Sequence, residues 1–243
     1  ADESVSGKKL VKLLKRHREV FARTISPTPA KIEPMILELI DPKKWRLGGP
    51  PRQQSLAKQN ALLKFLDESL KLGLIVRSQA TAYSQVVMVP KPNGKWRFCV
   101  DYRSLNENLV SMGWPIPNID RMFQRLGSKK AKYFGVLDLT SGYHQVLLDE
   151  KSRALAAFIT DFGVFEPTRV WMGIKSAPSY FQQCMSKALH GLMYDICEIY
   201  IDDIIIFGTS AEKFRDNLAQ VLERLKECGL TLNPDKAKIG LTQ

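Results

Sequence analysis

Eleven residues, Glu198-Ile-Tyr-Ile-Asp-Asp-Ile-Ile-Ile-Phe-Gly208, constrain the fold more than any other stretch of this 243-residue chain. Their β-branched and aromatic side chains predict strand. Two adjacent carboxylates, Asp202 and Asp203, interrupt the run. An unpaired buried carboxylate is costly, and side-by-side anions repel one another as well. Apolar neighbours cannot offset that. Either the pair sits in an exposed turn between two strands, where Asp is a favoured residue, or a strong cation compensates it. A third acid weighs toward the cation. Asp138 closes another apolar run, Phe134-Gly-Val-Leu-Asp138, where a core strand disfavours an acid. If the two strands are neighbours, three carboxylates converge on one point. Hard oxygen ligands with open positions suit Mg²⁺, which takes one or two carboxylates plus substrate phosphates. Two such ions about 4 Å apart activate an attacking hydroxyl and stabilise a leaving pyrophosphate.

Around these acids the pattern is mixed. Leu10, Leu13, Leu14 and Phe21 mark a basic amphipathic helix, and six prolines between Pro27 and Pro51 then predict extended or looped chain. Helical period returns over residues 55–72, with Leu56, Leu62, Leu63, Phe65, Leu66 and Leu70 on one face and Gly73 as the stop. Ser84 to Val100 reads as a hairpin about Pro-Asn-Gly, with a basic tip. A short helix follows over 118–127, its buried side Ile119, Met122, Phe123 and Leu126, then a strand over 134–139 and a short one over 146–148. A second hairpin over 154–170 turns at Asp161-Phe-Gly. Ser176 is placed to cap a helix running to Leu189, with Pro178 in its first turn. A capping box of Thr209 and Glu212 opens the last helix, striped by Phe214, Leu218, Val221, Leu222 and Leu225 and closed by Gly229. Helices and strands interleave without a regular βαβ rhythm, which predicts an α+β fold.

Composition narrows the partners. With 44% hydrophobic residues the chain buries enough surface to fold. Apolar stretches such as Ile204–Phe207 fall far short of the ~20 residues a bilayer span needs. Cys99, Cys184, Cys197 and Cys228 show no C-x-x-C spacing, so we read them as reduced thiols of an intracellular chain rather than zinc ligands. The N-terminus has no signal-peptide pattern and no initiator Met, which fits a processed product or an excised fragment. Net charge is +11, unevenly spread: residues 1–135 hold 25 Lys and Arg against 11 Asp and Glu, and residues 136–243 hold 11 against 14. A basic half joined to a slightly acidic half suggests a polyanion surface beside an acidic site, although uneven solvated faces are common in basic proteins.

These motifs, taken together, carry a resemblance. Tyr200-Ile-Asp-Asp203 resembles the Tyr-x-Asp-Asp box of reverse transcriptases, and Leu137-Asp-Leu-Thr-Ser-Gly-Tyr-His-Gln145 their first metal-binding motif. Trp96-Arg-Phe-Cys-Val-Asp-Tyr-Arg-Ser-Leu-Asn106 resembles the fingers segment, and Ala177-Pro-Ser-Tyr-Phe-Gln182 the helix under the template. Asp41-Pro-Lys-Lys-Trp45 and Leu72-Gly-Leu-Ile-Val-Arg-Ser78 extend the likeness, which is greatest toward gypsy-type long-terminal-repeat retrotransposons. One Tyr-x-Asp-Asp is a weak signal; five boxes in the family's order and spacing are a strong one. The sequence departs from the family at Trp171-Met172, where Pro-Phe is usual, at Ser176 for Asn and at Ala237 for Cys.

The resemblance implies a right-hand polymerase fold limited to fingers and palm, with an antiparallel palm sheet backed by helices and no thumb or RNase H. It implies a basic extension over 1–48, fingers over 49–110 and 146–176, and palm over 111–145 and 177–243, ending before the primer grip. The implied activity is RNA-directed DNA polymerisation: a primer 3′-hydroxyl attacks a dNTP on an RNA or DNA template, with two Mg²⁺ ions for which Mn²⁺ substitutes. Asp138, Asp202 and Asp203 would hold the metals, with the Leu139 carbonyl as a further ligand. Tyr143 would block a 2′-hydroxyl; its plain alternative is a half-buried core tyrosine. Lys91 and Arg97 would clasp the triphosphate, or else be two exposed cations of a basic hairpin. Asp101 and Arg103 would shape the template side, or form a simple ion pair. Phe181 and Gln182 would line the template and nucleotide pocket, and Lys236 would protonate pyrophosphate, with Lys238 as its competitor. Implied partners are the template-primer, dNTP and the remaining polyprotein regions: thumb, connection, RNase H, integrase and protease. No membrane is implied, a homodimer stays open, and the location would be a cytoplasmic virus-like particle with nuclear entry open. Ending before the primer grip, the chain would bind nucleic acid and metal but extend primers poorly. The alternative is a retroelement relic kept as a binding module with polymerase activity unused, which Trp171-Met172 and the missing grip favour and the intact acids oppose.

Overall fold

In the computed structural model, which describes residues 3–45 and 48–242, helix and strand alternate without a parallel βαβ rhythm. In chain order the elements begin with α1 (Glu3–Arg16), α2 (Leu56–Lys71), β1 (Ile75–Arg77), β2 (Ser84–Pro90), β3 (Trp96–Asp101) and α3 (Arg103–Glu107). Then come α4 (Ile119–Ser128), β4 (Tyr133–Asp138), α5 (Glu150–Arg153), β5 (Phe158–Thr160) and β6 (Gly163–Pro167). The last are α6 (Ala177–Ala188), β7 (Cys197–Tyr200), β8 (Asp203–Gly208), α7 (Ala211–Glu227) and β9 (Lys238–Thr242). They divide into two units, each with its own sheet. Residues up to Ile32, Gly113–Gln145 and those from Pro178 onward form one; Glu33–Met112 and Val146–Ala177 form the other. The first 48 residues are therefore shared between the units at Ile32.

The first unit is built on an antiparallel sheet of order β7-β8-β4-β9. Leu137, Ile204 and Ile206 are wholly buried in it, and α7 packs against β8 and β4 through Phe214, Leu218, Val221, Leu222 and Leu225. The expected stripe on α7 is thus the buried one. Its cap is Ser210 rather than Thr209: the Ser210 hydroxyl accepts from the Lys213 N–H at 3.1 Å. The helix starts one residue later than the Thr209–Glu212 box assumed, because β8 runs on to Gly208. On α4 the expected buried face narrows to Met122 and Leu126, while Ile119 and Phe123 are exposed. Phe123 lines a cavity of about 400 Å³ with Phe134, Val136 and Ile205.

The second unit holds a five-stranded sheet of order β1-β6-β5-β2-β3, with only β2 and β5 parallel. The β2–β3 hairpin forms as the Pro-Asn-Gly signal predicts, Val86 opposite Val100, with Gly94 at φ +74° in the turn. The second hairpin turns at Asp161-Phe-Gly, where Gly163 has φ +118°. Behind the sheet Phe65 stacks on Phe98 with centroids 4.1 Å apart, and Trp171 meets both rings edge-on. Trp171 is 3% exposed, so this departure from the family is a core side chain. Leu62 and Leu66 bury the inner face of α2, whereas Leu56 and Leu63 face solvent, a narrower stripe than the sequence predicts.

Candidate active site

The run 198–208 resolves into two strands and a tight turn, β7 and β8 hinged at Ile201-Asp202. β8 pairs antiparallel with β4 in a register that sets Leu137 opposite Ile204 and Asp138 directly opposite Asp203. Pleat alternation explains the rest: Leu137 and Ile204 fill the core, and Asp138, which follows the one, and Asp203, which precedes the other, point to the opposite face. The ladder continues one step further, since the Leu139 N–H donates to the Asp202 carbonyl at 3.3 Å. The Asn233 N–H donates to the Asp138 carbonyl at 2.8 Å and ties the segment before β9 to the same point. Carboxylate oxygens of Asp138, Asp202 and Asp203 all come within 4.8 Å of one another.

Holding three anions this close is costly. Like charges directly across a strand pair destabilise it. Burial pushes the Asp202 carboxyl above its ordinary range, and the Asp138 charge adds to that, against a backbone hydrogen bond and Lys236. Burial likewise raises Asp203, with Asp202 and then Asp138 adding to it. The local compensation is Lys236, whose Nζ lies 3.0 Å from Asp138 Oδ2, an oxygen shielded from solvent. That pairing pushes the ammonium pKa up. Of the two lysines considered from sequence, Lys236 is the one at the acids; Lys238 is exposed on β9 opposite Val136. A cluster of hard carboxylate oxygens with one side toward solvent fits a magnesium-type cation in donor chemistry and in its need for positive charge.

Gln182 is fully buried in the fold and lines a cavity of about 1000 Å³ with Trp114, Ile116 and Tyr194. Its amide also holds the turn before Asp202: its Oε1 accepts from the Ile201 N–H at 2.6 Å and its Nε2 donates to the Ile199 carbonyl at 3.3 Å. Ile201 adopts φ +58°, a left-handed backbone that a β-branched residue disfavours. The amide clamps that turn from both sides, and Asp202 follows directly. Phe181 is also fully buried, and the half-buried Tyr143 ring rests edge-on against it, centroids 5.3 Å apart. Burial raises the Tyr143 hydroxyl pKa, and the Asp202 charge raises it further.

Two residues of the 137–145 motif received no role from sequence reasoning. A methyl group at Gly142 would stand 3.1 Å from the Phe181 ring and 3.4 Å from Asp202 Cβ, so the turn after β4 packs closely against the acids and a larger side chain would press the Phe181 ring by a few tenths of an ångström. Gln145, 3% exposed, donates to the carbonyls of Thr140 and Thr231 and accepts from the Thr231 N–H, locking the loop after Asp138 to the segment that carries Lys236. Their place inside a quoted motif was the available signal.

Lys91, Arg97, Asp101 and Arg103 all belong to the other unit. Arg97 is exposed on β3, and Lys91 is half-buried, its N–H on the Lys95 carbonyl across the hairpin tip. Asp101 is held by Arg103 at 2.7 Å and by Arg52 at 3.0 Å, the simple ion pair enlarged by an arginine the motif does not contain. These bonds, Arg103's foremost, hold the Asp101 carboxyl far below the usual range despite its burial.

Comparison with known proteins adds independent findings. The family described as "Reverse transcriptase (RNA-dependent DNA polymerase)" matches residues 89–243. The Pol polyprotein of Drosophila melanogaster transposon 412 is 40% identical over 169 residues, 67% of this chain and 14% of the relative. That of transposon 297 is 38% identical over 178 residues, 71% of this chain and 17% of the relative. The enzymatic polyprotein of cauliflower mosaic virus (strain Strasbourg) is 31% identical over 207 residues, 84% of this chain and 30% of that protein. The chain thus spans a minor part of the length of each. Among solved structures, a foamy viral protease-reverse transcriptase in complex with double-stranded DNA superposes with TM-score 0.81 at 20% identity, over 96% of this chain and 41% of that one. The same viral enzyme with an RNA/DNA hybrid gives 0.77 at 20% identity, over 96% of this chain and 31% of that one. This likeness shows a shared fold, the α+β fingers-and-palm architecture of right-hand polymerases. The family match spans residues 89–243 and so includes all three converging aspartates, and on that ground the chain belongs to the reverse transcriptase (RNA-dependent DNA polymerase) family.

Proposed function

We propose that the chain is the RNA-directed DNA polymerase portion of a retroelement polyprotein of gypsy type, and that the unit bearing the aspartates is its palm. One observation carries the reading: β4 and β8 bring Asp138, Asp202 and Asp203 within 4.8 Å, at like-charge cost, where only a cation repays the arrangement. In this reading the three carboxylates, with the Leu139 carbonyl, hold two Mg²⁺ ions, which when bound lower the pKa of the primer hydroxyl and take up charge on the leaving pyrophosphate. The chain's own residues do the positioning. Gln182 and Gln145 fix the two backbone turns that aim the carboxylates. Tyr143, braced by Phe181, is the wall against a sugar 2′-hydroxyl, so that dNTPs are the substrates. Lys236 carries a firmly held proton beside the acids and is the donor for the leaving group. The phosphate-binding roles of Lys91 and Arg97 belong to the same reading, as does a cellular setting among the remaining polyprotein regions.

Primer extension on RNA and DNA templates tests it. Slow but measurable, Mg²⁺-dependent dNTP incorporation is expected, falling by more than about 100-fold in Asp202→Asn because a ligand to the ions is lost. Extension that Asp202→Asn leaves intact, or no extension with either Mg²⁺ or Mn²⁺, overturns the reading.

A further inference from the structure

Lys236 is paired with a carboxylate, that of Asp138, which also belongs to the candidate metal cluster. Lys236 Nζ lies 3.0 Å from Asp138 Oδ2, an oxygen shielded from solvent, in the middle of the one cluster of carboxylates that suits a metal ion among the described residues. Ammonium and metal repel each other, and each wants the Asp138 lone pair on its own side. The lysine faces solvent: its side chain is 68% exposed, whereas that of Asp138 is 15% exposed. It enters from the segment before β9, which is pinned by the Asn233 N–H on the Asp138 carbonyl and by the Ala237 N–H on the Asn233 carbonyl.

We propose that Lys236 is a built-in counter-ion of the acidic triad, which holds the three carboxylates together and has to be displaced before the ion that binds Asp138 can do so. The proposal rests on the metal-site reading above and goes beyond the proton-donor role given to this lysine there. A displaceable internal cation lowers the apparent affinity of the metal by the fraction of time it spends on the carboxylate. Metal and lysine are then negatively coupled, and the coupling is reciprocal: bound metal frees the lysine arm by as much as the lysine weakens the metal. Charge alone gives the same sign at long range, so the effect must exceed that of removing any other cation. Lys213 supplies the comparison, an exposed lysine in the first turn of α7 whose loss changes net charge equally.

The test is Mn²⁺ binding to the whole chain, read by electron paramagnetic resonance of free Mn²⁺, with no substrate present. Relative to wild type, Lys236→Gln should bind Mn²⁺ about three- to fivefold more tightly, the upper range for an ion pair with one exposed partner. Lys213→Gln should change affinity by less than about 1.5-fold, since exposed charges beyond a Debye length are screened. Lys236→Arg, which keeps a cation, should stay near wild type. In an Asp138→Asn background the Lys236→Gln effect should shrink to that of Lys213→Gln. Equal affinities for Lys236→Gln and Lys213→Gln, or weaker binding by Lys236→Gln, overturns the counter-ion while the metal site stands. Mn²⁺ binding unaltered by Asp138→Asn, Asp202→Asn and Asp203→Asn overturns both, and so separates the two failures.

Discussion

Asp202 and Asp203 are held where the sheet would rather have neutral side chains, and this makes a pH prediction. Both carboxyls sit above their ordinary pKa because burial and neighbouring acids penalise the charged form. A carboxyl raised in the folded state binds its proton more tightly there than in the unfolded chain. The stability it contributes is therefore full below the ordinary carboxylate pKa and is lost as pH climbs through the raised folded value. Asp202→Asn removes one of these penalties. In buffer with chelator its melting temperature should exceed that of wild type at pH 7, and the difference should vanish as pH falls toward the ordinary Asp range. A deficit at pH 7 would mean that the aspartate is stabilising, contrary to the burial argument. The convergence of the three acids was legible because acids in an apolar strand violate a strong rule. The hold of Gln182 on the turn was not legible for the converse reason: nothing about a lone glutamine on a helix tells whether its amide meets a substrate, a backbone or both. The deciding fact, the left-handed Ile201 whose N–H it accepts, exists only in three dimensions.

At the scale of elements, strand and helix periods were readable where one face is buried and ambiguous where an element ends. The α7 stripe was legible residue by residue, but its start was not, since Thr209 and Ser210 are both good caps and β8 decides between them. For α2 and α4 the apolar residues outnumber the buried ones: Leu56, Leu63, Ile119 and Phe123 keep the helical period and still face solvent, because each neighbouring surface covers only two or three positions. The joint between β8 and α7 carries a sharper consequence. At Gly208 a methyl group would stand 2.5 Å from the Phe214 nitrogen and 2.6 Å from its Cα, backbone atoms of the helix that covers the sheet. No side-chain rotation relieves such an overlap, so α7 would have to move off β4 and β8. Overpacking of this kind costs about 1–3 kcal/mol where side chains can yield and more where backbone must. Gly208→Ala should therefore lose at least about 3 kcal/mol in urea unfolding, at the upper end of single-substitution effects. It should also weaken Mn²⁺ binding, because β8 begins at Asp203. A loss under about 1 kcal/mol would show that the joint is looser than a close-packed interior.

For the molecule as a whole, folding redistributes the charge that the sequence appeared to segregate. The N-terminal half is strongly basic and the C-terminal half slightly acidic, yet the two compact units come out alike. The unit with the aspartates holds 20 Lys and Arg against 14 Asp and Glu, and the other holds 16 against 11. The reason is topological: the acid-rich segment after Pro178 shares its unit with the lysine-studded α1 and with Lys129, Lys130 and Lys132. Sequence order alone could not reveal this, because the chain crosses between units at Ile32, Met112, Gln145 and Ala177. On the proposed function, the net positive charge of the unit would attract a polyanion, while the triad would repel phosphate except where a metal intervenes. Binding of a template-primer should then be driven mainly by counterion release, the observed affinity falling with a log–log slope of about −0.9 per phosphate neutralised. If about four phosphates are engaged, affinity should drop about 100-fold between 50 and 200 mM salt. Fluorescence anisotropy with a labelled duplex, in chelator and in Mg²⁺, checks this. A steep slope in both conditions is the expected result. A slope near zero would mean that the excess charge of both units is merely solvated and that nucleic acid is held by something else.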